Sequence, residues 1–446
     1  MLKSRLCIAF FAFAVGCAPA QKPLTDYVNP MLGTATLWDS VDLGFKPTKR
    51  TWGAEVFPGS SLPNAMVQVS PVTKFHSGAG YQYEDSVIYG FTHTNKGHWN
   101  LCHIPLLPVT GTPTPGDYCS PFSHERESAA PGYYQVFLDR YGVDAQLSST
   151  LRCAFHKYTY PAGAAPAVLA DLQRSNEHVR AWDIRKEGDN VFAGWQQTGE
   201  KMYFYAVANR PVTGIEPVVE GDREVRIVRF GEGDGALELR IGFSFVSEKN
   251  ARENLEAEML GKSFAEVRAE ATVTWNDLLG RIRVEGGTER EKGLFYSSLY
   301  RSFLWPALRS DVNGEFTDVD GKVVNPGFRY YTGPSYWDDY RNKLILLGML
   351  APDVAADVIS SDVDKGEKRG GFMPTFFHGD HASAFVAGTY LRGNRGFDVK
   401  RAYNLVLRNA TVQGPSRPWL DEYIAKGYIS EMDVENPVTW TVCKAA

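Results

Sequence analysis

The period of the hydrophobic positions changes near residue 249. Over residues 27–247, short alternating or apolar runs are separated by Gly, Pro, Asp and Asn turns. Strict alternation is clearest at Leu237, Leu239, Ile241, Phe243 and Phe245, and residues 202–208 form a continuous apolar and aromatic run that is typical of a strand buried on both faces. Many short strands with turn signals between them predict an antiparallel β-sandwich over residues 24–248.

The second half of the chain is predicted to be helical. Apolar residues recur at a spacing of three and four from Leu255 to Ile282, which predicts one long amphipathic linker helix within residues 249–286. Further helical patterns cover residues 290–305, 340–350, 352–361, 382–391 and 398–409. The layout is therefore an α+β multidomain protein, with a β-domain, a helical linker and an all-α domain over residues 287–446.

The first twenty residues are predicted to be a signal peptide. Two basic residues precede the apolar run at residues 6–15, which is too short to span a bilayer stably. Two processing routes are open: cleavage after the A-x-A motif at Ala20, or lipid modification of Cys17 at a relaxed lipobox. We expect an exported protein, either periplasmic or a lipoprotein of the outer membrane or cell surface, held at a membrane only through Cys17.

Composition narrows the choice of ligand. The formal net charge of −5 comes without basic blocks, so we expect no binding of nucleic acid. The aromatic share of 13% fits carbohydrate binding, and a large β-rich core explains it equally well. Past the signal, Cys102, Cys119, Cys153 and Cys443 show no C-x-x-C pair, which argues against a zinc site. A Cys102–Cys119 bridge and buried free thiols both stay open.

Several segments resemble glycoside hydrolase family 92, the calcium-dependent exo-α-mannosidases. They are YVNPMLGT at residues 27–34, FPGSSLP at 57–63, MVQVSP at 66–71, GYQY at 80–83, GFTHTN at 90–95, GHWNLC at 97–102, PVTG at 108–111, YWDDYR at 336–341, GDHA at 379–382, YLRG at 390–393 and FD at 397–398. The YWDDYR segment resembles the family's W-D-x-x-R signature. Because the segments are spread over the mature chain, the resemblance concerns the whole of it.

The resemblance implies a fold and a reaction. It implies an N-terminal β-sandwich followed by part of an (α/α)6 toroid, and release of terminal α-linked mannose from glycans with inversion and with help from calcium. Inversion requires two carboxyl groups about 6.5–9.5 Å apart. The match fades after residues 434–436, so we expect the catalytic carboxylates, and most of the calcium ligands, to lie beyond Ala446. A non-catalytic surface glycan-binding protein and an inactive truncated product are the alternative interpretations.

The signature segment supplies the main candidate binding residues, Trp337, Asp338, Asp339 and Arg341. The Asp338 carboxylate can accept two hydrogen bonds from sugar hydroxyls, and hydrogen bonds to a charged acceptor are the stronger kind. The alternative role for Asp338 is a helix N-terminal cap, with Arg341 paired to a nearby acid. Asp338 and Asp339 are not the inverting pair, because successive helical side chains point about 100° apart.

Two further pairs of residues are candidates for sugar binding. Asp380 and His381 follow a glycine on a loop, and a cap for the helix that follows is their alternative role. His98 and Trp99 lie in the predicted sandwich, where Trp99 is expected to form a wall against the sugar at the domain boundary or to be an ordinary interface tryptophan. His93, His98 and His103 are five residues apart on expected loops, which does not match the spacing of metal ligands.

Overall fold

The structure is a computed structural model that describes residues 22–36, 44, 54–95, 101–375, 379–414 and 417–428. The predicted signal peptide with Cys17 lies outside these residues. So do His98, Trp99 and Cys443. The expectations for those positions therefore stay predictions.

The first part of the described chain is a sandwich of two antiparallel sheets. In strand order, one sheet has seven strands, β1-β2-β4-β5-β11-β16-β15, and the other has eight, β12-β13-β14-β17-β10-β9-β8-β7. The strands are β1 (Ser60–Ser61), β2 (Gln68–Val72), β3 (Val87–Ile88), β4 (Gly90–Thr92), β5 (Leu106–Val109), β6 (Ser120–Pro121), β7 (Glu127–Ala130), β8 (Tyr133–Leu138), β9 (Val143–Ser149), β10 (Cys153–Thr159), β11 (Ala167–Ala170), β12 (Ala181–Gly188), β13 (Val191–Gln197), β14 (Lys201–Ala208), β15 (Val212–Glu220), β16 (Arg223–Phe230) and β17 (Leu237–Ser244). Short 3-10 helices cover Leu24–Tyr27 and His124–Arg126. The predicted sandwich is therefore confirmed.

The alternating pattern read from the sequence corresponds to the two faces of β17. Leu237, Leu239, Ile241 and Phe243 are fully buried in the core between the sheets. The expectation that residues 202–208 are buried on both faces is wrong, because burial alternates along β14. Tyr205 and Val207 are only partly buried, since the face they lie on is covered by a helix rather than by a second sheet.

Nine helices follow in the described part of the chain. They are α1 (Glu248–Glu258), α2 (Phe264–Leu279), α3 (Glu289–Ser302), α4 (Tyr336–Asp339), α5 (Lys343–Leu350), α6 (Pro352–Lys368), α7 (His381–Leu391), α8 (Val399–Thr411) and α9 (Leu420–Lys426), with a small hairpin of β18 (Phe316–Thr317) and β19 (Val323–Val324) between α3 and α4. The α+β layout predicted from the sequence, with the helical region after the sandwich, is confirmed.

The predicted single linker helix is in fact two helices. The chain breaks after Met259, and Ser263 begins α2 with a capping box to Glu266. The first helix, α1, packs on β14 and β17, whereas α2 packs on β9, so the break lets the linker follow two parts of the sheet. Gly242 on β17 permits the close approach of α1, because a Cβ there would collide with the carbonyl oxygen of Ala251.

Three other predicted helices have different ends. The helix predicted over residues 290–305 ends at Ser302, and the one predicted over 340–350 begins only at Lys343, after Asn342, whose φ of −133° is not helical. The helix predicted over 352–361 continues to Lys368. The extension adds two turns, and charged residues in them line the candidate functional site described below.

Side chains from three parts of the chain meet where the sandwich contacts the helices. Trp275 of α2 is fully buried, donates from Nε1 to the Ser61 carbonyl oxygen at 2.7 Å, and lies 4.4 Å from the Tyr300 ring of α3. The N-terminal segment reaches the same helices, since the backbone N–H of Asn29 donates to Ser297 Oγ at 2.9 Å. One continuous hydrophobic core therefore runs from the sandwich into the helical domain.

Cysteine chemistry and membrane segments can be stated for the described residues only. Cys102, Cys119 and Cys153 are thiols there, so the Cys102–Cys119 bridge that the sequence left open is not formed. Within the described ranges, no single helix is long and apolar enough to cross a membrane; α5 and α6 satisfy the length and composition together but are bent by 120°.

Candidate functional site

A cleft of about 860 Å³ lies between one end of the sandwich and the helical domain. The sandwich contributes the β13–β14 turn and the end of β17, and the helical domain contributes the β18–β19 hairpin, the segment before α4 and the last turns of α6. Its lining residues include Gly199, Glu200, Lys201, Tyr203, Phe245, Arg309, Asp318, Tyr330, Gly333, Tyr336, Asp362, Lys365 and Arg369. The volume is in the range of ligand pockets in proteins, which often lie between domains.

A buried hydrogen-bond network anchors the start of the signature segment at this cleft. Tyr336 donates from its hydroxyl to the Asp362 carboxylate, which is almost fully buried. Lys365 donates to the other oxygen of Asp362 at 3.0 Å and to the Tyr331 carbonyl oxygen at 2.9 Å. Burial raises the pKa of Tyr336 well above its ordinary value, so the phenol stays protonated and acts as the donor.

Charged side chains at the cleft are mostly paired across the domain boundary. Arg309 of the helical side forms an ion pair with Glu200 of the β13–β14 turn at 3.0 Å, and its guanidinium lies 3.8 Å from the Phe245 ring. Asp318 pairs with Lys368 at 2.9 Å. Tyr330 lines the cleft with a buried hydroxyl that has no hydrogen-bond partner among the described residues.

Two of the predicted site residues are exposed and directly follow Tyr336, which lines this cleft. Trp337 is 41% exposed, and Asp338 is exposed and accepts a hydrogen bond from Ser335 Oγ at 2.6 Å. The alternative role of Asp338 as a helix cap is wrong, because Ser335 holds the N-cap position and Asp338 lies inside α4. The expectation that Asp338 lies just before the helix is corrected in the same way.

The other two residues of the signature, Asp339 and Arg341, contact side chains close to them in sequence. Asp339 pairs with Lys343 at 3.2 Å, and burial raises the pKa of its carboxyl. Arg341 is exposed, and its guanidinium lies 5.0 Å from the Tyr340 ring. That ring contact is the interaction that the structure gives Arg341, in place of the nearby acid suggested by the sequence.

Asp380 and His381 lie close to the signature segment in space. The His381 ring stacks on Tyr340 with 4.0 Å between centroids. Asp380 holds the N-cap position of α7, but its side chain makes no capping hydrogen bond. It is buried and accepts from Ser383 Oγ at 2.7 Å and from Asn409 Nδ2 at 3.0 Å. Asp380 therefore joins α7 to α8, and His381 is the more accessible of the two.

The sandwich histidines form a structural relay. Nδ1 of His93 donates to the Ile104 carbonyl oxygen at 3.0 Å, so its Nε2 accepts from Nε2 of His156 at 3.0 Å. Nδ1 of His156 then accepts from the Tyr158 hydroxyl at 2.6 Å. Burial lowers the pKa of His93 to about 3. In the part of the chain that the structure describes, no three His, Cys, Asp or Glu residues are grouped so as to hold a metal ion.

Described residues on either side of His98 and Trp99 lie at the domain boundary. Thr94 and Leu101 line a narrow cavity together with Trp305 and Arg309 of the helical domain. Arg309 also lines the main cleft, so the two cavities are adjacent. The residues that flank His98 and Trp99 therefore lie near the candidate site. His98 and Trp99 themselves lie outside the described residues.

Sequence reasoning missed most of the residues that line the cleft. Asp362 and Lys365 lie in the part of α6 beyond its predicted end, and their spacing of three residues along a continued helix is the signal that was available. Glu200, Arg309 and Tyr330 come from turns and loops far apart in sequence, and nothing in their local sequence indicates that they meet.

Comparison with known proteins identifies the family. Residues 27–258 match the glycosyl hydrolase family 92 N-terminal domain, and residues 250–445 match the family's catalytic domain. The chain belongs to glycosyl hydrolase family 92. The second match extends to residue 445, so the expectation that the resemblance fades after residues 434–436 is wrong.

Relatives of this family 92 chain are longer than the chain itself. A protein of Arthroderma benhamiae described as an uncharacterized secreted glycosidase is 24% identical over an alignment of 470 positions. The alignment covers 92% of this chain and 56% of that protein. A GH92 α-mannosidase structure from Bacteroides thetaiotaomicron is 25% identical, with a TM-score of 0.81 over 90% of this chain and 58% of that chain. A GH92 inverting mannosidase of the same species is similar in fold, with 23% identity, a TM-score of 0.80 and coverage of 94% and 60%. The chain thus spans less than two thirds of each.

Proposed function

We propose that this family 92 chain takes part in the release of terminal α-linked mannose from glycans, and that the cleft between its two domains receives the sugar. The observation that carries the proposal is the placement of the family signature. Tyr336 lines a cleft whose walls come from both domains, and the next two residues of the signature, Trp337 and Asp338, are exposed. A related GH92 α-mannosidase structure holds mannoimidazole, which supports a mannose-like ligand.

Each accessible residue of the signature has a chemical role in this proposal. The Asp338 carboxylate has one described hydrogen-bond donor, Ser335, and has lone pairs left to accept from two sugar hydroxyls. The exposed indole of Trp337 offers an apolar face against the C–H groups of the ring. Arg341 and His381 both contact the Tyr340 ring, and they are the donors of this proposal. Asp339 is held by Lys343 and shapes the segment rather than contacting the sugar.

The inverting reaction requires a general acid and a general base on opposite sides of the sugar. The Tyr336–Asp362–Lys365 network is buried and satisfied, so its part is to hold the signature segment in place. The sandwich wall at Glu200 and Phe245 limits access of water to the bound sugar.

Calcium belongs to the proposal as the family's ion, which when bound would polarise sugar hydroxyls. Among the described residues, no three acidic, His or Cys side chains are grouped so as to hold a metal ion, so these side chains do not form such a site by themselves. Export fits the description of the Arthroderma relative as secreted, and lipid attachment at Cys17 stays a prediction for the N-terminal residues.

The test of the sugar site is the variant Asp338→Ala. Binding of methyl α-mannoside should weaken about ten- to hundredfold, because hydrogen bonds to a charged group contribute roughly 1.5–3 kcal/mol. Tryptophan fluorescence or calorimetry measures it. Asp353→Ala, which removes an exposed carboxylate in the first turn of α6, is the matched control and should bind as the unmodified chain does. Unchanged affinity in Asp338→Ala would defeat the assignment.

A non-catalytic glycan-binding protein is the second candidate function. It is favoured by the state of the carboxylates that line the cleft, since Glu200, Asp318 and Asp362 are each held in an ion pair with Arg309, Lys368 and Lys365 respectively. The two functions differ in turnover, which release of mannose from an α-mannoside measures with and without a calcium chelator. Release that chelation stops supports the hydrolase, whereas affinity without release supports the binding protein.

A further inference from the structure

A second cavity, of about 720 Å³, lies on the sandwich away from the family signature. Its lining comes from residues 173–182, which lead into β12, together with His76 and with Asp222 in the β15–β16 turn. Both β12 and β15 are edge strands of their sheets. The cavity therefore lies at the edge of the sandwich that these two strands form.

The apolar surface of this cavity is an indole. Trp182 is half-buried at the start of β12, and the Arg226 guanidinium lies 5.3 Å from its ring. Arg226 is itself held by Glu224 at 2.7 Å. An aromatic ring fixed in this way by a cation keeps its orientation without a ligand, which reduces the entropy lost on binding.

Polar side chains around the indole are also fixed in advance. The Arg174 guanidinium lies 4.4 Å from the Phe75 ring and 4.9 Å from the Tyr89 ring. His76 has a φ of +61°, and its backbone N–H donates to Asn176 Oδ1 at 2.7 Å. A non-glycine residue with positive φ is strained, and such strain is kept where the surroundings determine the conformation.

Charge balance indicates the class of ligand. The lining carries two arginines, Arg174 and Arg180, and two carboxylates, Glu177 and Asp222. A phosphate or carboxylate ligand would meet both carboxylates, whereas a polyhydroxylated ring needs donors and acceptors together with an apolar platform. The composition of the cavity therefore favours an uncharged sugar over an anion.

We propose that this cavity is a second carbohydrate-binding site, for neutral oligosaccharide, with Trp182 as its stacking platform. It is separate from the cleft but close to it. The Glu177 carboxylate accepts from Thr198 Oγ1 at 2.6 Å and from the backbone N–H of Gly199 at 3.3 Å, and Gly199 lines the cleft. Only the β13–β14 turn separates the two sites, so one polymeric glycan can engage both, which strengthens binding through effective concentration.

The experiment measures binding of soluble α-mannan, a neutral β-glucan and polygalacturonate to Asp338→Ala, which weakens the cleft site. Adding Trp182→Ala should lower the remaining affinity for neutral polymer about tenfold, and Trp182→Phe should restore most of it. The control is Trp195→Ala on β13, a tryptophan outside the cavity whose ring is covered by Lys201 at 3.5 Å. Thermal melting verifies that each variant is folded.

Three outcomes overturn the inference: no binding of either neutral polymer, binding of polygalacturonate alone, or neutral binding that Trp182→Ala leaves unchanged. The proposed function of the cleft is judged separately, by the effect of Asp338→Ala on the affinity for methyl α-mannoside. The two proposals can thus fail independently.

Discussion

The sandwich covers its own core with two facing sheets, whereas the helices from α5 onward leave large apolar side chains in contact with solvent. Phe91, Tyr134 and Phe204 of the sandwich are fully buried. By contrast, Met349 of α5 is 62% exposed and Leu391 at the end of α7 is 80% exposed. Each region also contains the opposite case, such as exposed Val219 in β15 and fully buried Leu344 in α5, so the difference between the regions is one of degree.

The difference indicates that the helical region depends on its junction with the sandwich. Exposed apolar side chains contribute little hydrophobic free energy, since the gain is proportional to the area removed from water. The side chains that join the helical region to the sandwich lie on α2 and α3, and they include the buried Trp275 and Tyr300. Three tests compare the stability of the two regions and of the junction between them.

The largest expected effect is that of Trp275→Ala at the junction. Removing the indole leaves a cavity and an unpaired Ser61 carbonyl, so the free energy of unfolding should fall by about 4 kcal/mol. Chemical denaturation followed by circular dichroism measures it. Val273→Ala in the same helix is the control, because Val273 is 68% exposed and its loss should change stability by less than about 0.5 kcal/mol. A small effect of Trp275→Ala would show that the helices do not depend on this junction.

Acid should act on the sandwich through its buried histidines. Burial lowers the pKa of His93 and of His103 to about 3 and lowers that of His156, so these rings stay neutral in the folded state while the unfolded chain takes up protons below about pH 6.5. Their contribution to stability is present above pH 6.5 and is lost as the pH falls toward 3. The slope is about 1.4 kcal/mol per pH unit for each histidine.

Denaturant titration between pH 7 and pH 4 measures this slope. His156→Gln should reduce the slope by the contribution of one histidine. His178→Gln, at an exposed position, is the control and should not reduce the slope. A slope that His156→Gln does not alter would mean that the relay between the sheets is not what limits stability in acid.

The smallest effect is expected at the exposed helix faces. Leu391→Gln should change the free energy of unfolding by no more than about 0.5 kcal/mol, because its side chain is mostly in solvent. It should reduce self-association, which sedimentation measures, since exposed apolar patches promote association. Leu344→Ala in α5, at a fully buried position, is the destabilising comparison, with a loss of about 3 kcal/mol. Equal losses from both variants would contradict the exposure of Leu391.

The period of the hydrophobic positions along the sequence was sufficient to predict the β-rich and the helical region, but it did not predict the break in the linker helix. Leu260 continues the helical spacing, and Gly261 alone is tolerated within helices. The helix ends there because α1 and α2 pack on different strands, and because Arg240 Nε donates to the Lys262 carbonyl oxygen at 3.0 Å. These contacts join residues distant in sequence, so no local pattern contains them.

The candidate site could be predicted only where a short motif contains it. Trp337 and Asp338 were found because they are adjacent in the signature, and both are exposed and follow Tyr336, which lines the cleft. Asp362 and Lys365 were missed, since their importance comes from reaching Tyr336 across the helical domain. Trp182 carried no motif at all. It is distinguished by the Arg226 contact and by its position at the edge of the sandwich.

Some contacts of the N-terminal segment can form only late in the synthesis of the chain. Asn29 finds its partner Ser297 only after another 268 positions have been added to the chain. At about 5–20 residues per second, a ribosome needs on the order of tens of seconds to supply them. During that interval the first strands of the sandwich can pair and can hold the end of the segment, because the backbone N–H of Thr36 donates to the Glu84 carboxylate at 2.6 Å. The contacts of Thr25 and Asn29 with α2 and α3 are added only afterwards, when those helices have been made.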